Sequence, residues 1–403
     1  MKKIEITLFV LFFCFKVSHS QWVQVSNEIG NSIAVYGLTN SGNTIFAGTN
    51  GQGVYLSTNS GANWTQTPLN NRFVYSLAAS GSNIFAGTQN DYGLYLSTNM
   101  GATWAQTSLN YRFVFALLID GNNIYAGTEY NNVPMGVYKS TDNGTTWTQT
   151  SLNNKTVRSF GVSGSNIFAG TAYDGVYLST NNGTTWTQTS LNNLAVYSFA
   201  IIGNNIFAGT LSNGLYLSTN NGASWSQAAF NNQTVYSLAV NGSNIVAGTF
   251  DYGVYLSTNS GTNWAARNEG LPNGLAVYSF TIFNNYVFAG TIGAGSLYRR
   301  PFSELNGIKQ ISGEVPVDFA LKQNYPNPFN PVTNIQFNIP KAGNVKLIVF
   351  DALGREAMAL VNGHYSAGTY NVDMDASNLP SGVYFYRLES GSYYEVKKML
   401  LVK

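Results

Sequence analysis

Histidine and cysteine are almost absent from this chain: its 403 residues hold two histidines and one cysteine. His19 and Cys14 stand near the N-terminus and His364 near the C-terminus, so residues 21–300 contain neither type. That excludes Ser-His-Asp and Cys-His nucleophilic catalysis from this stretch, together with zinc or copper sites built on imidazole or thiolate. Charge is scarce as well. Only 9% of residues are charged, the formal net charge is +2 and the basic residues are scattered singly, which gives no electrostatic footprint for nucleic acid. After residues 6–15 no apolar run is long enough to span a bilayer, so an integral membrane protein is not expected. Gly, Asn, Ser and Thr fill the sequence around a 44% hydrophobic content, a composition suited to many short strands joined by tight turns.

Lys2 and Lys3, followed by that apolar run, read as a secretory signal covering residues 1–20. Ser18-His19-Ser20 is the expected small-residue cleavage site, which leaves Gln21 as the new N-terminus. Cys14 leaves with the signal, and Leu11-Phe12-Phe13 before it lacks the small residue of a lipoprotein signal. The exported chain is then expected to have neither a disulfide nor a thiol.

The stretch NIFAGTQNDYGLYLSTNMGATW, residues 83–104, returns along the chain with small changes. Its FAGT core recurs at Phe46, Phe85, Tyr125, Phe168, Phe207, Val246 and Phe288, in steps of 39, 40, 43, 39, 39 and 42 residues. A self-similar period of this size is a fold signature. In the second copy the pattern predicts strands over residues 74–79, 84–87, 94–97 and 104–107, with Gly81-Ser82-Asn83 as the first turn because Gly and Asn tolerate positive φ. Four strands per repeat indicate a β-propeller blade. The last repeat stops near residues 296–299, while Trp22-Val23-Gln24-Val25-Ser26 matches Trp104-Ala105-Gln106-Thr107-Ser108. The N-terminus is therefore expected to supply the missing outer strand, closing a seven-bladed ring over residues 21–300 without a free sheet edge.

The turn before each outer strand follows Ser-x-Asn/Asp-x-Gly-x-x-Trp and ends at Trp64, Trp104, Trp147, Trp186, Trp225 and Trp264. It resembles the Asp box of BNR, sialidase- and sortilin-like propellers. Only Asp142 keeps the acid; Asn59, Asn99, Asn181, Asn220 and Asn259 replace it, which preserves an acceptor and removes the charge. The resemblance implies a structural turn on the face away from any active site.

Residues 301–320 mix Pro, Gly and charge without a period and read as a linker. From residue 321 to 403, alternating apolar positions broken by Pro, Asn and Gly predict about seven short strands, an immunoglobulin-like β-sandwich. Tyr325-Pro326-Asn327-Pro328-Phe329-Asn330, residues 351–354 and Ser381-Gly382-Val383-Tyr384 resemble the type A C-terminal sorting domain of the type IX secretion system. That resemblance implies Sec export into the periplasm of a Bacteroidetes bacterium and passage through the outer membrane, with the secretion machinery as partner. The whole chain is thus expected to be all-β.

In a propeller the loops joining strands two and three share a face with those joining successive blades, and on that face the sequence varies. It offers Arg72, Asp91, Tyr92, Tyr111, Arg112, Glu129, Tyr130, Tyr173, Asp174, Asp251 and Tyr252 as ligand-binding candidates, aromatic planes beside charged groups that suit sugars or peptide side chains. No catalytic residue, metal or cofactor is assigned. Paired loop carboxylates leave a polysaccharide-cleaving hydrolase open beside a binding module for glycan or an envelope protein, and calcium is undecided. A sialidase is disfavoured: Arg72 and Arg112 occupy matching places, but Lys155 takes the next and Arg158 falls at a strand position. A monomer is expected.

Overall fold

The computed structural model describes residues 21–403 except 90, 91, 294, 306, 313, 377 and 378. The signal reading of residues 1–20 and the candidate Asp91 lie outside the described residues. Among the described residues the strands form nine four-stranded antiparallel sheets, seven of them in the repeat region. In blade 2 the strands are Val74–Ser80, Asn83–Thr88, Leu94–Ser97 and Ala105–Gln106, close to the spans that the repeat predicts. The first strands of neighbouring blades face one another around a central axis, and Val35–Ser41 of blade 1 meets Ala276–Phe283 of blade 7. The ring is closed.

Closure uses the N-terminal strand. Val23–Gln24 pairs antiparallel with Leu297–Pro301, Val23 opposite Arg299 and Gln24 opposite Tyr298, and so becomes the outer strand of blade 7. Trp22 is 2% exposed and locks the seam: its indole Nε1 donates to the Arg267 carbonyl at 2.6 Å, and its amide donates to the Glu269 carbonyl at 2.7 Å. The Arg300 guanidinium, almost fully buried, pairs with Glu269 at 2.7 Å beside it.

The core lies between blades rather than inside them, because each blade is one sheet with two apolar faces. Phe85 and Leu94 of blade 2, for example, pack with Val114, Ile124 and Ala126 of blade 3. The turns with the Trp pattern supply the outer part of this packing. In blade 3 the Ser140 hydroxyl donates to Asp142 Oδ1 at 2.7 Å and accepts from the Gly144 amide at 2.9 Å, while the Thr146 amide donates to the same Oδ1 at 2.9 Å. The Asn-bearing turns repeat this with the amide oxygen, as at Asn99 and Asn181. What differs is the second atom: Asp142 Oδ2 accepts from Thr146 Oγ1 at 2.6 Å, whereas Asn99 Nδ2 donates to Thr103 Oγ1 at 2.9 Å. A hydroxyl does either, which is why Asn replaces Asp at little structural cost.

The stretch read as a linker is more ordered than that reading allows. Phe302–Leu305 forms a helical turn whose Phe302 and Leu305 sit in the apolar cluster around Trp22. Ile308–Ser312 then pairs with Gly368–Asp375 and opens the C-terminal domain. Ile308, fully buried in the sandwich core, explains the difference. The domain is a sandwich of two four-stranded sheets, with strand order Ile308–Ser312, Gly368–Asp375, Val332–Ile339, Ala320–Leu321 in one and Glu356–Tyr365, Gly343–Asp351, Gly382–Ser390, Tyr393–Leu401 in the other. Its core centres on Phe337, Leu347, Tyr386 and Met399. It rests against the hairpin and turn end of blade 6, where Ser243, Thr258 and Asn259 share a cleft with Lys346, Met358 and Asn362. No helix among the described residues is long and apolar enough to cross a membrane.

Candidate functional site

In every blade the pairing of strands one and two breaks at the same place. The register slips between Val35 and Gly37, Val74 and Ser76, Val114 and Ala116, Val157 and Ser159, Val196 and Ser198, Val235 and Ser237, and Val277 and Ser279. Each slip leaves one extra residue unpaired, a β-bulge, and bulges re-aim side chains. The extra residues are Tyr36, Tyr75, Phe115, Arg158, Tyr197, Tyr236 and Tyr278, and together they line a cavity of about 410 Å³ on the ring axis. The valine before each bulge is buried between blades. In blades 2, 4 and 6 the serine after it stitches to the next blade: Ser76, Ser159 and Ser237 donate to the carbonyls of Val114, Val196 and Val277 at 3.1, 3.0 and 2.9 Å. A three-residue unit thus divides its labour between core, axis and neighbour.

The bulge aromatics touch around the ring. Tyr36 stacks on Tyr75 at 4.9 Å and Tyr236 on Tyr278 at 4.4 Å, while Tyr36 meets Tyr278 edge-on at 5.5 Å. Burial pushes the phenols of Tyr36, Tyr75, Tyr197 and Tyr278 up, so they remain neutral hydroxyls at physiological pH. Arg158 opposes that rise at Tyr75 and Tyr197. Its guanidinium carbon lies 3.5 Å from the Phe115 ring centroid, a cation–π contact, and its Nε is buried without a hydrogen-bond partner. The reading of Arg158 as a strand residue is correct, yet the bulge turns it to the axis.

Strand one begins at the variable-loop face, so the cavity opens there. Hydrogen bonds tie the two loop sets of that face together, Gly53 to the Arg72 carbonyl and Gly136 to the Lys155 carbonyl. Tyr111, Tyr173 and Tyr252 are exposed around the mouth, at 58%, 78% and 54%. Arg72 lies 3.9 Å from the Tyr92 centroid, and Arg112 sits over Tyr130 and Tyr138 at 6.0 and 5.5 Å. Glu129 Oε2 accepts from the Thr156 hydroxyl at 2.9 Å, and Asp174 pairs with Lys155 at 2.7 Å. Asp251 is exposed beside Tyr252. The loop candidates thus form small local pairs on separate blades, while the residues that converge are the bulge residues. The recurring Val-Tyr-Ser of blades 2, 5, 6 and 7 was the available sequence signal. Among the described residues no group of three or more His, Cys, Asp or Glu could hold a metal.

Residues 323–403 match the family model of the secretion system C-terminal sorting domain. The chain ends in a type IX sorting domain. Such a tail implies delivery to the cell surface or the extracellular space. No curated protein matches the chain in sequence. Among solved structures, YCF48 from Cyanidioschyzon merolae is similar at a TM-score of 0.56 and 14% identity, covering 70% of this chain and 99% of that one. A YCF48 bound to D1 peptide is similar at 0.54 and 11%, covering 71% and 96%. An ancestral GH74 enzyme is similar at 0.51 and 15%; the match covers 94% of this chain and 63% of the enzyme. These likenesses are of fold, and the fold is a β-propeller. The sorting domain packs at the turn end of blade 6, so it leaves the axial mouth on the opposite face uncovered.

Proposed function

We propose that this protein is a secreted or surface-displayed binding module whose propeller takes a glycan, or a segment of an extracellular or envelope protein, at the axial mouth. One observation carries the reading: seven bulges aim seven side chains, six of them aromatic, into one cavity. A volume of about 410 Å³ suits a small ligand group, since ligand pockets run from about 300 to 1,000 Å³. The loop residues Tyr92, Tyr111, Tyr130, Tyr173 and Tyr252 with Arg72 and Arg112 would extend that surface outward, and the turns ending in Trp are read as Asp boxes with a structural role. Export through Sec and the periplasm, followed by type IX passage, delivers the module.

The hydrolase alternative has less support. The described residues that line the cavity include no Asp or Glu, whereas glycoside hydrolysis needs two facing carboxyls. Glu129 and Asp174 are engaged with Thr156 and Lys155. The test is a glycan array probed with purified residues 21–403 and with a Tyr75→Ala/Tyr236→Ala double variant. A polysaccharide class bound by the first and lost by the second supports the reading; hits indifferent to the double variant remove it.

A further inference from the structure

We propose that the axial cavity is a subsite for an acidic sugar, a uronate-type residue whose carboxylate pairs with Arg158 while its ring lies among the bulge aromatics. This rests on the binding-module reading and adds the charge of the ligand. Six blades place an aromatic ring at the bulge; blade 4 alone places a cation. The substitution is not forced by the fold, because the flanking Val157 keeps the burial of the other blades and Ser159 keeps the hydrogen bond found in blades 2 and 6.

Arg158 faces walls that offer it no counter-charge, since the described lining contains no carboxylate. The Phe115 ring holds the guanidinium without neutralising it, and the free face of the Arg fork favours bidentate capture of a carboxylate. The remaining walls select what carries that carboxylate. Neutral phenols both donate and accept hydrogen bonds, as sugar hydroxyls do, and the flat faces of Tyr and Phe suit the C–H face of a pyranose. An ammonium-bearing ligand would meet the like charge of Arg158 in a lining without a carboxylate. An acidic peptide would satisfy Arg158 but present fewer hydroxyls to the phenols of Tyr36 and Tyr197 than a sugar does.

Isothermal titration of purified residues 21–403 with trigalacturonate, neutral galactotriose and an acidic tripeptide tests this. Trigalacturonate should bind at least ten-fold more tightly than galactotriose, and the preference should shrink as salt rises. R158Y, which restores the aromatic of the other blades, and R158Q should both bring the affinity ratio of the two trimers to about one with the melting temperature unchanged, and R158K should keep part of the preference. Equal affinity for the two trimers, a preference that survives R158Y, or tighter binding of the peptide than of trigalacturonate would overturn the proposal. A neutral glycan that binds wild type at least as tightly as trigalacturonate and is lost in Tyr75→Ala/Tyr236→Ala would sink the acidic-sugar assignment and spare the binding module. Array hits that ignore the double variant would sink both.

Discussion

Gly61 of blade 1 rests on the ring of Phe288 in blade 7: a β-carbon on that glycine would stand 2.6 Å from Phe288 Cε1. The same contact recurs around the propeller, Gly144 on Phe85, Gly183 on Tyr125, Gly222 on Phe168 and Gly261 on Phe207 at 2.4–2.7 Å, with Gly101 on Phe46 at 3.2 Å. Each turn glycine therefore seats the FAGT aromatic of the preceding blade. Blade 7 has no such turn, and blade 6 before it carries Val246 where the others carry Phe or Tyr. Phe302 and Leu305 share the apolar cluster of Val246 and fill that space instead.

Gly61→Ala should therefore cost more than its backbone conformation alone explains. Its φ of +77° already disfavours a side chain, and Phe288 blocks the space a methyl would need. We expect a loss of about 2–4 kcal/mol, against about 1 kcal/mol for Gly81→Ala, where φ is +57° and nothing lies within 4 Å. Urea midpoints of the two variants check this. Equal losses would reduce the glycine to a turn former.

Val246→Phe restores the repeat consensus yet should destabilise, by about 1–3 kcal/mol, because Phe302 and Leu305 occupy the room that the ring would take. A melting temperature at or above wild type would show that the cluster can make way.

Trp22→Ala removes the largest side chain of the seam together with its bond to Arg267. A loss of about 3–5 kcal/mol is expected. Removing residues 21–26 altogether should bare the edge of Leu297–Pro301 and give aggregation. Light scattering and thermal melts indistinguishable from wild type would contradict closure by this strand.

Asp142 is held down to about 2, first by the Thr146 hydroxyl, then by the Thr146 amide and Ser140. A folded-state pKa below the unfolded one gives stability that is present above the unfolded value near 4 and is lost as pH falls toward 2. Asp142→Asn should thus leave the melting temperature at pH 7 nearly unchanged and lessen its fall between pH 4 and pH 2. A variant as acid-sensitive as wild type would show that the turn does not feel this carboxylate.

Bulge and rim tyrosines should separate in binding. Against the best glycan of the array, Tyr75→Ala/Tyr236→Ala should abolish binding, whereas Tyr92→Ala/Tyr130→Ala/Tyr252→Ala should weaken it less than ten-fold at unchanged melting temperature. The reverse order would move the site from the axis to the rim.

The ring, its closure through Trp22 and the sandwich were legible in the sequence, because a period near 40 residues and a strand missing at one end and present at the other are visible in letters alone. The axis was not. Alternation assigns faces only while the side-chain period stays at two, and a bulge breaks that period at Tyr36, Tyr75 and their equivalents. Arg158 consequently read as one more strand residue. Ile308–Ser312 was hidden for another reason: its partner, Gly368–Asp375, lies about sixty residues away, beyond the reach of local pattern.

The seam also decides how the molecule fails. In an open solenoid the terminal repeats fray first, and stability is nearly a sum over neighbours. Here Val35–Ser41 of blade 1 packs on Ala276–Phe283 of blade 7, while the Trp22 indole bonds to a residue 245 positions away, so the first and last blades of the chain are one another's neighbours. A circle has no outermost member to peel, and a breach between any two blades costs every other blade the support it receives from both sides. Unfolding is therefore expected to be concerted across the propeller, which suits a protein that works outside the cell among proteases and without chaperones.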